Sequence, residues 1–424
     1  MNKMFTINLR MREILLVLFC CLPISIMIGK AALNTNLVIF DLFAMAYFFK
    51  DKKFELISSN KNLFFAFFLI LFVSFNIFFS TNLELSFQGL LGLIKNIIFC
   101  LGLTLFVSPN DIKKFFSPIV FISLMFVSLN IYLQYFTGFD IFGNSLVGQN
   151  RSTAVFGNQI PGSYILKFFF IGLLLSTFNK NIFLNLTYLS FFTTAIILSN
   201  ERMPILNIIF FSILFISIFP QINYKKKLLC LFSYLSICFL IYNVPIPSAN
   251  NSELTKQEKL YENLLLRTKT QLKRQTVGKN ISNLYWFQHF RAAAELFLDS
   301  PIIGSGIKSY RYSCPLKQLE KKKIAQLSCN IHPHNIYFEI ISETGILGLF
   351  IVSFILFRLF LLSIGSYRRD SLNRRQLMIV ILPIFMLFNP IQFTGSFFST
   401  YSGFFFFLNL GIAFNFIRNY SNIK

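Results

Sequence analysis

The hydrophobic positions of this chain fall in long unbroken blocks rather than at a period of two or of 3.6 residues. Blocks of roughly 17–25 apolar residues are the length an α-helix needs to cross the hydrocarbon core of a bilayer. They lie at about 13–29, 31–49, 63–80, 86–107, 115–136, 161–178, 182–199, 204–219, 227–246, 336–363, 377–391 and 399–417. The pattern predicts an all-α polytopic membrane protein with about twelve transmembrane helices. Short alternating strands are absent, which disfavours an outer-membrane barrel. The first block follows Lys3, Arg10 and Arg12, has no small-residue cleavage site after it and runs straight into a second block. It therefore reads as a first span with its N-terminus inside, not as a cleavable leader.

One polar stretch is domain-sized. It divides the chain into spans one to nine (1–246), a large loop (247–335) and spans ten to twelve (336–424). Within the loop, 253–275 alternates Lys and Arg with Glu and Leu, the pattern of a solvated or interfacial amphipathic helix. In 282–299 the apolar positions Leu284, Phe287, Phe290, Ala294 and Phe297 recur three or four apart, predicting a second helix with Ser282 as N-cap and Ser300-Pro301 as its stop. Gly304-Ser305-Gly306 makes a turn, and a basic excursion follows at Lys321 to Lys323.

Composition agrees with the pattern: 55% of residues are hydrophobic and 13% charged, against roughly 25% charged in soluble domains. A net charge of +22 would suggest a nucleic-acid partner, but its distribution argues otherwise. With the N-terminus inside, 19 Lys and Arg fall in the inside loops and termini, and only Lys30, Arg151 and Arg202 in the short outside loops. That is the positive-inside bias, and it puts the large loop outside. Five cysteines (Cys20, Cys21, Cys100, Cys230 and Cys238) sit in apolar blocks as small core residues. Cys314 and Cys329 lie in the outside loop, where an oxidising compartment predicts a disulfide between them. There is no CxxC spacing, Cys/His cluster, nucleotide-binding glycine loop or DxD pair, so no metal or cofactor is expected.

Two of the three histidines, His332 and His334, stand where the loop meets the tenth block. Histidine moves protons near neutral pH, so His334, next to the span, is a candidate general base; a simple helix cap is the alternative. Pro333 favours extended backbone and points the two rings differently, leaving His332 as support. His289, beside Trp286 and Phe290, reads as packing. Glu339 and Glu343 lie in the first turns of the span, favoured by the helix dipole but costly at membrane depth without an arginine or histidine partner. Gly345 and Gly348 permit close helix approach. Arg151, Arg202 and Arg291 each offer a planar fork of donors that matches phosphate oxygens, and three in one cleft would hold a diphosphate. The alternatives are pairing of Arg202 with Glu201 or lipid headgroups, and of Arg291 with Glu295.

His334-Asn335, nine residues and then Gly345-Ile346-Leu347-Gly348 resemble the signature of the bacterial O-antigen ligase and O-antigen polymerase superfamily. Phe290-Arg291 with Pro301-Ile302-Ile303-Gly304-Ser305-Gly306 resembles that family's lead-in, and Arg151-Ser152 with Phe156-Gly157 the segment before its sixth span. Arg202 stands in the place of its arginine after the seventh span, although Met203 replaces the usual small residue. The resemblance implies an inner-membrane, multi-pass enzyme that works at the periplasmic face. It would transfer a glycan from undecaprenyl diphosphate to an acceptor hydroxyl with inversion and without metal. His334 would be the base and Arg151, Arg202 and Arg291 the diphosphate ligands, with His332, Asn335, Glu339, Glu343, Gly345 and Gly348 in support. A ligase acting on lipid A–core is the favoured reading, and a polymerase extending a lipid-linked repeat the alternative. A lipid-linked oligosaccharide flippase is the rival from another class. The large loop disfavours it, as does the scarcity of basic residues within spans, where only Lys95, Lys167 and Arg358 occur.

Overall fold

The computed structural model describes residues 2–50, 61–147, 151–157, 161–175, 182–218, 223–244, 284–320, 328–369, 374–390 and 395–421. The helix expected over 253–275, the Ser282 cap and Lys321 to Lys323 lie outside the described residues. Among those described, a helix overlies each of the twelve apolar blocks, and β-structure is limited to two isolated bridges, Phe139–Ser145 and Val147–Arg151. The helices are α1 (Asn2–Cys20), α2 (Leu22–Ile28), α3 (Lys30–Lys50), α4 (Lys61–Ile77) and α5 (Leu83–Phe106). Next come α6 (Ser117–Thr137), α7 (Gly162–Gly172), α8 (Ile182–Leu198), α9 (Arg202–Ile218) and α10 (Tyr224–Tyr242). The loop contributes α11 (Tyr285–Asp299) and α12 (Tyr310–Glu320), and the chain ends with α13 (Ile336–Arg369), α14 (Arg374–Leu387) and α15 (Thr400–Ser421).

Five helical segments are long and apolar enough to cross a membrane: Lys30–Lys50, Leu83–Phe106, Pro109–Thr137, Ile336–Ile364 and Thr400–Arg418. Arg10–Cys20 and Leu22–Ile28 make a sixth if their 44° bend is one broken span. Pro23 in the first turn of α2 is compatible with a restart there, because its missing N–H would have no helical partner. Phe68–Ile77, α7, α8, α9 and Arg375–Leu387 are apolar but shorter. Helix starts follow from local chemistry: the Asn82 side chain accepts from the Leu85 amide, and Asn223 from that of Lys226. Large apolar side chains such as Phe78, Phe232 and Phe350 stand bare on the outside. So much exposed apolar surface is the mark of a protein whose solvent there is lipid.

α5 and α15 form the centre of the bundle, with Phe99 against Phe404 and the Asn415 amide donating to the Val107 carbonyl. The loop helices pack at one end around Ala292, Ala293, Leu296, Tyr310 and Cys314. Cys314 and Cys329 are joined in a disulfide there. The buried stripe of α11 differs from expectation. It runs through His289, Ala292, Ala293 and Leu296, while Phe287 is exposed and Phe290, Ala294 and Phe297 are only partly covered. Hydrophobicity alone misplaced the stripe because small residues and a histidine, not the phenylalanines, fit against Tyr310 and the disulfide. The helix begins at Tyr285, with Leu284 at the cap position and no side-chain cap bond.

Candidate active site

The site is framed by the break in α13. Gly345 has φ +65° and ψ −167°, a conformation that interrupts the helix. A Cβ there would lie 2.3 Å from the Ile302 carbonyl oxygen, and one on Gly304 2.4 Å from the Glu343 carbonyl carbon. Two backbones therefore touch where side chains are missing. The freed amides of Ile346 and Leu347 donate to the carbonyls of Pro301 and Ile302, at 2.9 and 3.3 Å. Asn76, fully buried on α4, donates to the Ile303 carbonyl at 2.7 Å and accepts from the Ile307 amide at 3.1 Å. The GxxG motif was expected to bring helices together; Gly345 instead admits the 300–309 loop. Gly348 packs against Thr344 of its own helix, with Phe72 near.

Glu339 and Glu343, both buried, are satisfied differently from the expected arginine or histidine pairing. Glu343 accepts from the amides of Lys308 (2.6 Å) and Tyr310 (3.0 Å), so it pins the loop. Glu339 accepts from the Ser396 hydroxyl and from the Phe397 amide at 2.6 Å, so it pins the turn before α15. Arg311 lies within electrostatic reach of both. Loop amides are donors in fixed positions, and a carboxylate that takes two of them needs no ion pair to be buried.

All three histidines come together. The His334 ring lies 4.4 Å from that of His332 and 5.1 Å from that of His289, centroid to centroid. Pro333 was expected to point the first two rings differently, and they do stand at an angle while remaining in contact. His334 adopts φ +60°, the left-handed region, and the rings meet at an interplanar angle of 58°. His289, read as packing, is wholly buried but borders His334 directly. Its spacing along α11 is the one signal that could have found it: it shares the buried face with Ala292, Ala293 and Leu296. Burial, then the neighbouring His332 and His289, push the His334 imidazole down to about 4. Asn330 donates through Nδ2 to His334 Nε2 at 2.9 Å, because its Oδ1 is taken by the Ile331 amide. Nε2 is thereby presented as a lone pair. Asn335 explains the residue that follows: its Oδ1 accepts from the amides of Tyr337 and Phe338, capping α13, while its Nδ2 donates to the Pro390 carbonyl.

Residues 187–353 match the family model described as O-antigen ligase. The chain carries an O-antigen ligase family domain. A search of the curated proteins finds no match to the chain. The family segment takes in Arg202, Arg291, the three histidines, Glu339, Glu343 and both glycines of the motif, and leaves Arg151 and α15 outside.

Of the arginines, the O-antigen ligase family domain and its surroundings bring two together. Arg151 and Arg202 lie within electrostatic reach of one another. Glu201, expected as an alternative partner for Arg202, is turned instead to Ser163, whose amide (2.9 Å) and hydroxyl both donate to it. Among the described residues neither arginine forms an ion pair, and the Arg151 Nε is buried without a hydrogen bond. Two guanidinium groups in electrostatic reach of one another, with Glu201 acting on Arg151, are a place where a further anion is stabilised. Arg291 sits two residues beyond His289, half-buried, with no ion pair to Glu295 among the described residues. Hydrogen bonds tie the motif to the helix that carries Arg202: Asn335 donates to the Pro390 carbonyl, and the adjacent Asn389 donates to Asn207 on α9.

Proposed function

We propose that the protein is an inverting glycosyltransferase that moves a glycan from undecaprenyl diphosphate to an acceptor hydroxyl at the periplasmic face of the inner membrane. The acceptor is lipid A–core, so the enzyme is an O-antigen ligase, built from about twelve spans with the 247–335 loop outside. The observation that carries this reading is His334 itself. In the family segment it stands at the loop end of the bundle, wedged between two other imidazoles, with its Nε2 lone pair facing a donor.

The chemistry follows from that placement. The acceptor hydroxyl takes the donor position that Asn330 holds at His334 Nε2. As its oxygen bonds to the anomeric carbon, its proton passes to Nε2 and the bond from that carbon to the diphosphate oxygen breaks. Attack from the face opposite the leaving group inverts the anomeric configuration. Arg151 and Arg202 neutralise the charge that develops on the departing lipid diphosphate, and Arg291 contributes from α11. The diphosphate linkage carries the driving free energy, so the reaction needs no nucleotide or metal. An arriving diphosphate also raises the proton affinity of the depressed His334 imidazole, so the base strengthens when the donor is bound. His332 and His289 hold the ring in place.

Reconstitution of the full chain with a lipid-diphosphate glycan and two acceptors, core lipid and a second lipid-linked unit, tests this. Glycan should appear on the core lipid; extension of the lipid-linked unit alone would make the enzyme a polymerase, and transfer to neither would remove the proposal.

A further inference from the structure

The start of α15 separates two basic regions. Tyr401 and Phe405, four residues apart, face α7, where Lys167 Nζ lies 4.5 Å from the Tyr401 ring and 4.8 Å from that of Phe405. Lys167 and Arg151 both act on Glu201 from there, so this side adjoins the arginines assigned to the donor diphosphate. Thr400, Gly403 and Phe407 face the other way, toward α5. Between them and α5 is a small pocket lined by Gly89, Gly92, Asn96, Lys308, Ser399 and Thr400, walled by phenylalanines.

Nothing described so far uses this pocket, yet its chemistry is specific. Lys308 brings a cation whose ammonium forms no ion pair among the described residues, with Lys95, Arg311 and the Glu343 carboxylate in electrostatic reach. Its backbone is held at φ +57° while its amide donates to Glu343, so the side chain starts from an anchored position. The 22-residue helix α15 begins at the pocket: Ser399 caps it, its hydroxyl accepting from the Ser402 amide and donating to the Ser396 carbonyl, and Thr400 lines the rim. Asn96 is 4% exposed, lines the pocket and makes no hydrogen bond among the described residues; its Oδ1 is enclosed without a partner. A buried amide without partners costs free energy that a ligand with both donors and acceptors recovers. Gly92 keeps the α5 wall bare, since a Cβ there would meet nothing within 4 Å, whereas Gly89 admits the Ile307 side chain, 2.7 Å from where its Cβ would stand.

We propose that this pocket binds a phosphate carried by a lipid, separately from the diphosphate held by Arg151 and Arg202. The Lys308 ammonium, the first amides of α15 and the Thr400 hydroxyl take the phosphate oxygens, and Asn96 takes a neighbouring hydroxyl. In the transferase proposed above, and resting on that reading, the lipid is the acceptor, so α15 keeps the two anionic lipids on opposite sides of one helix start.

Photo-crosslinking on the full chain in neutral phosphatidylcholine nanodiscs tests the site without any turnover. The probe is an alkyl phosphate bearing a diazirine, with an uncharged alkyl diazirine of equal length as control. The peptide spanning Gly89 to Asn96 should be labelled by the phosphate probe and not by the control. Lys308→Gln should cut that labelling about tenfold, the effect of losing one charge-assisted hydrogen bond. Gly92→Leu, which enters open space and so spares the packing, should block it. Labelling near Arg202 should be unchanged in both. Equal labelling by the uncharged probe, or unchanged labelling in both variants, overturns the proposal. Competition identifies the source: displacement by a phosphorylated core lipid supports the acceptor assignment, displacement by phosphatidylglycerol supports a phosphate site for bulk lipid, and displacement by neither overturns it. Absence of transfer by the wild-type chain would defeat the transferase reading and leave the labelling result standing.

Discussion

At the scale of single residues, the decisive feature is an imidazole kept neutral by burial and then by its neighbours. His334 titrates at about 4, lowered by burial and by His332 and His289. It is therefore available as a base throughout the neutral range and is removed only by strong acid. The kcat/KM for the donor, which reads the free enzyme, measured between about pH 4 and 8 should hold level on its acid side to roughly pH 5 and then fall; a loss already complete at pH 6 would mean that some other group titrates. The sign for stability is the same. The unfolded imidazole takes a proton near 6.5 and the folded one only near 4, so folding weakens as pH drops through that interval. His334→Ala should lower transfer by about 10²–10⁴-fold with membrane insertion intact. Normal turnover in that variant would remove the base from the mechanism. Arg202→Ala should weaken use of the lipid-diphosphate donor and leave the acceptor dependence unchanged, read as separate KM values.

At the scale of elements, the site depends on how the 300–309 loop is seated in the break of α13. Gly345→Ala forces a Cβ toward the Ile302 carbonyl at 2.3 Å and strains a left-handed φ, the latter alone costing about 1–2 kcal/mol. The expected result is an undocked loop. The Lys308 and Tyr310 amides, now bonded to Glu343, should then exchange with deuterium much faster, and unchanged exchange would count against this role for the break. The disulfide acts on the next segment. Opening its loop of 15 residues by Cys314→Ser should cost about 3 kcal/mol by the loop-entropy relation, read as a lower melting temperature with the α11–α12 cluster loosened first.

For the whole molecule, the prediction concerns orientation. If the bundle sits as the charge bias implies, a cysteine placed at Lys308 is labelled by an impermeant thiol reagent from outside intact spheroplasts. One placed at Lys226 is labelled only after permeabilisation. The reverse result would invert the topology and place the histidine cluster on the wrong side for the donor proposed above.

The sequence by itself determined the helical class, the position of the apolar blocks and the two cysteines that pair. It also singled out His334-Asn335 and the arginines. Each of these is a local property: the length of an apolar run, the side on which charge accumulates, or a residue type at a border. Tertiary structure alone decided that His289 joins His334, that Glu339 and Glu343 bind loop amides rather than arginines, that Gly345 breaks its helix, and that α11 buries its small residues. These depend on which distant segments meet, as when Asn76 donates to the Glu343 carbonyl across 267 residues. A buried polar group takes whichever donors the packing brings to it, and no spacing along the chain encodes that choice.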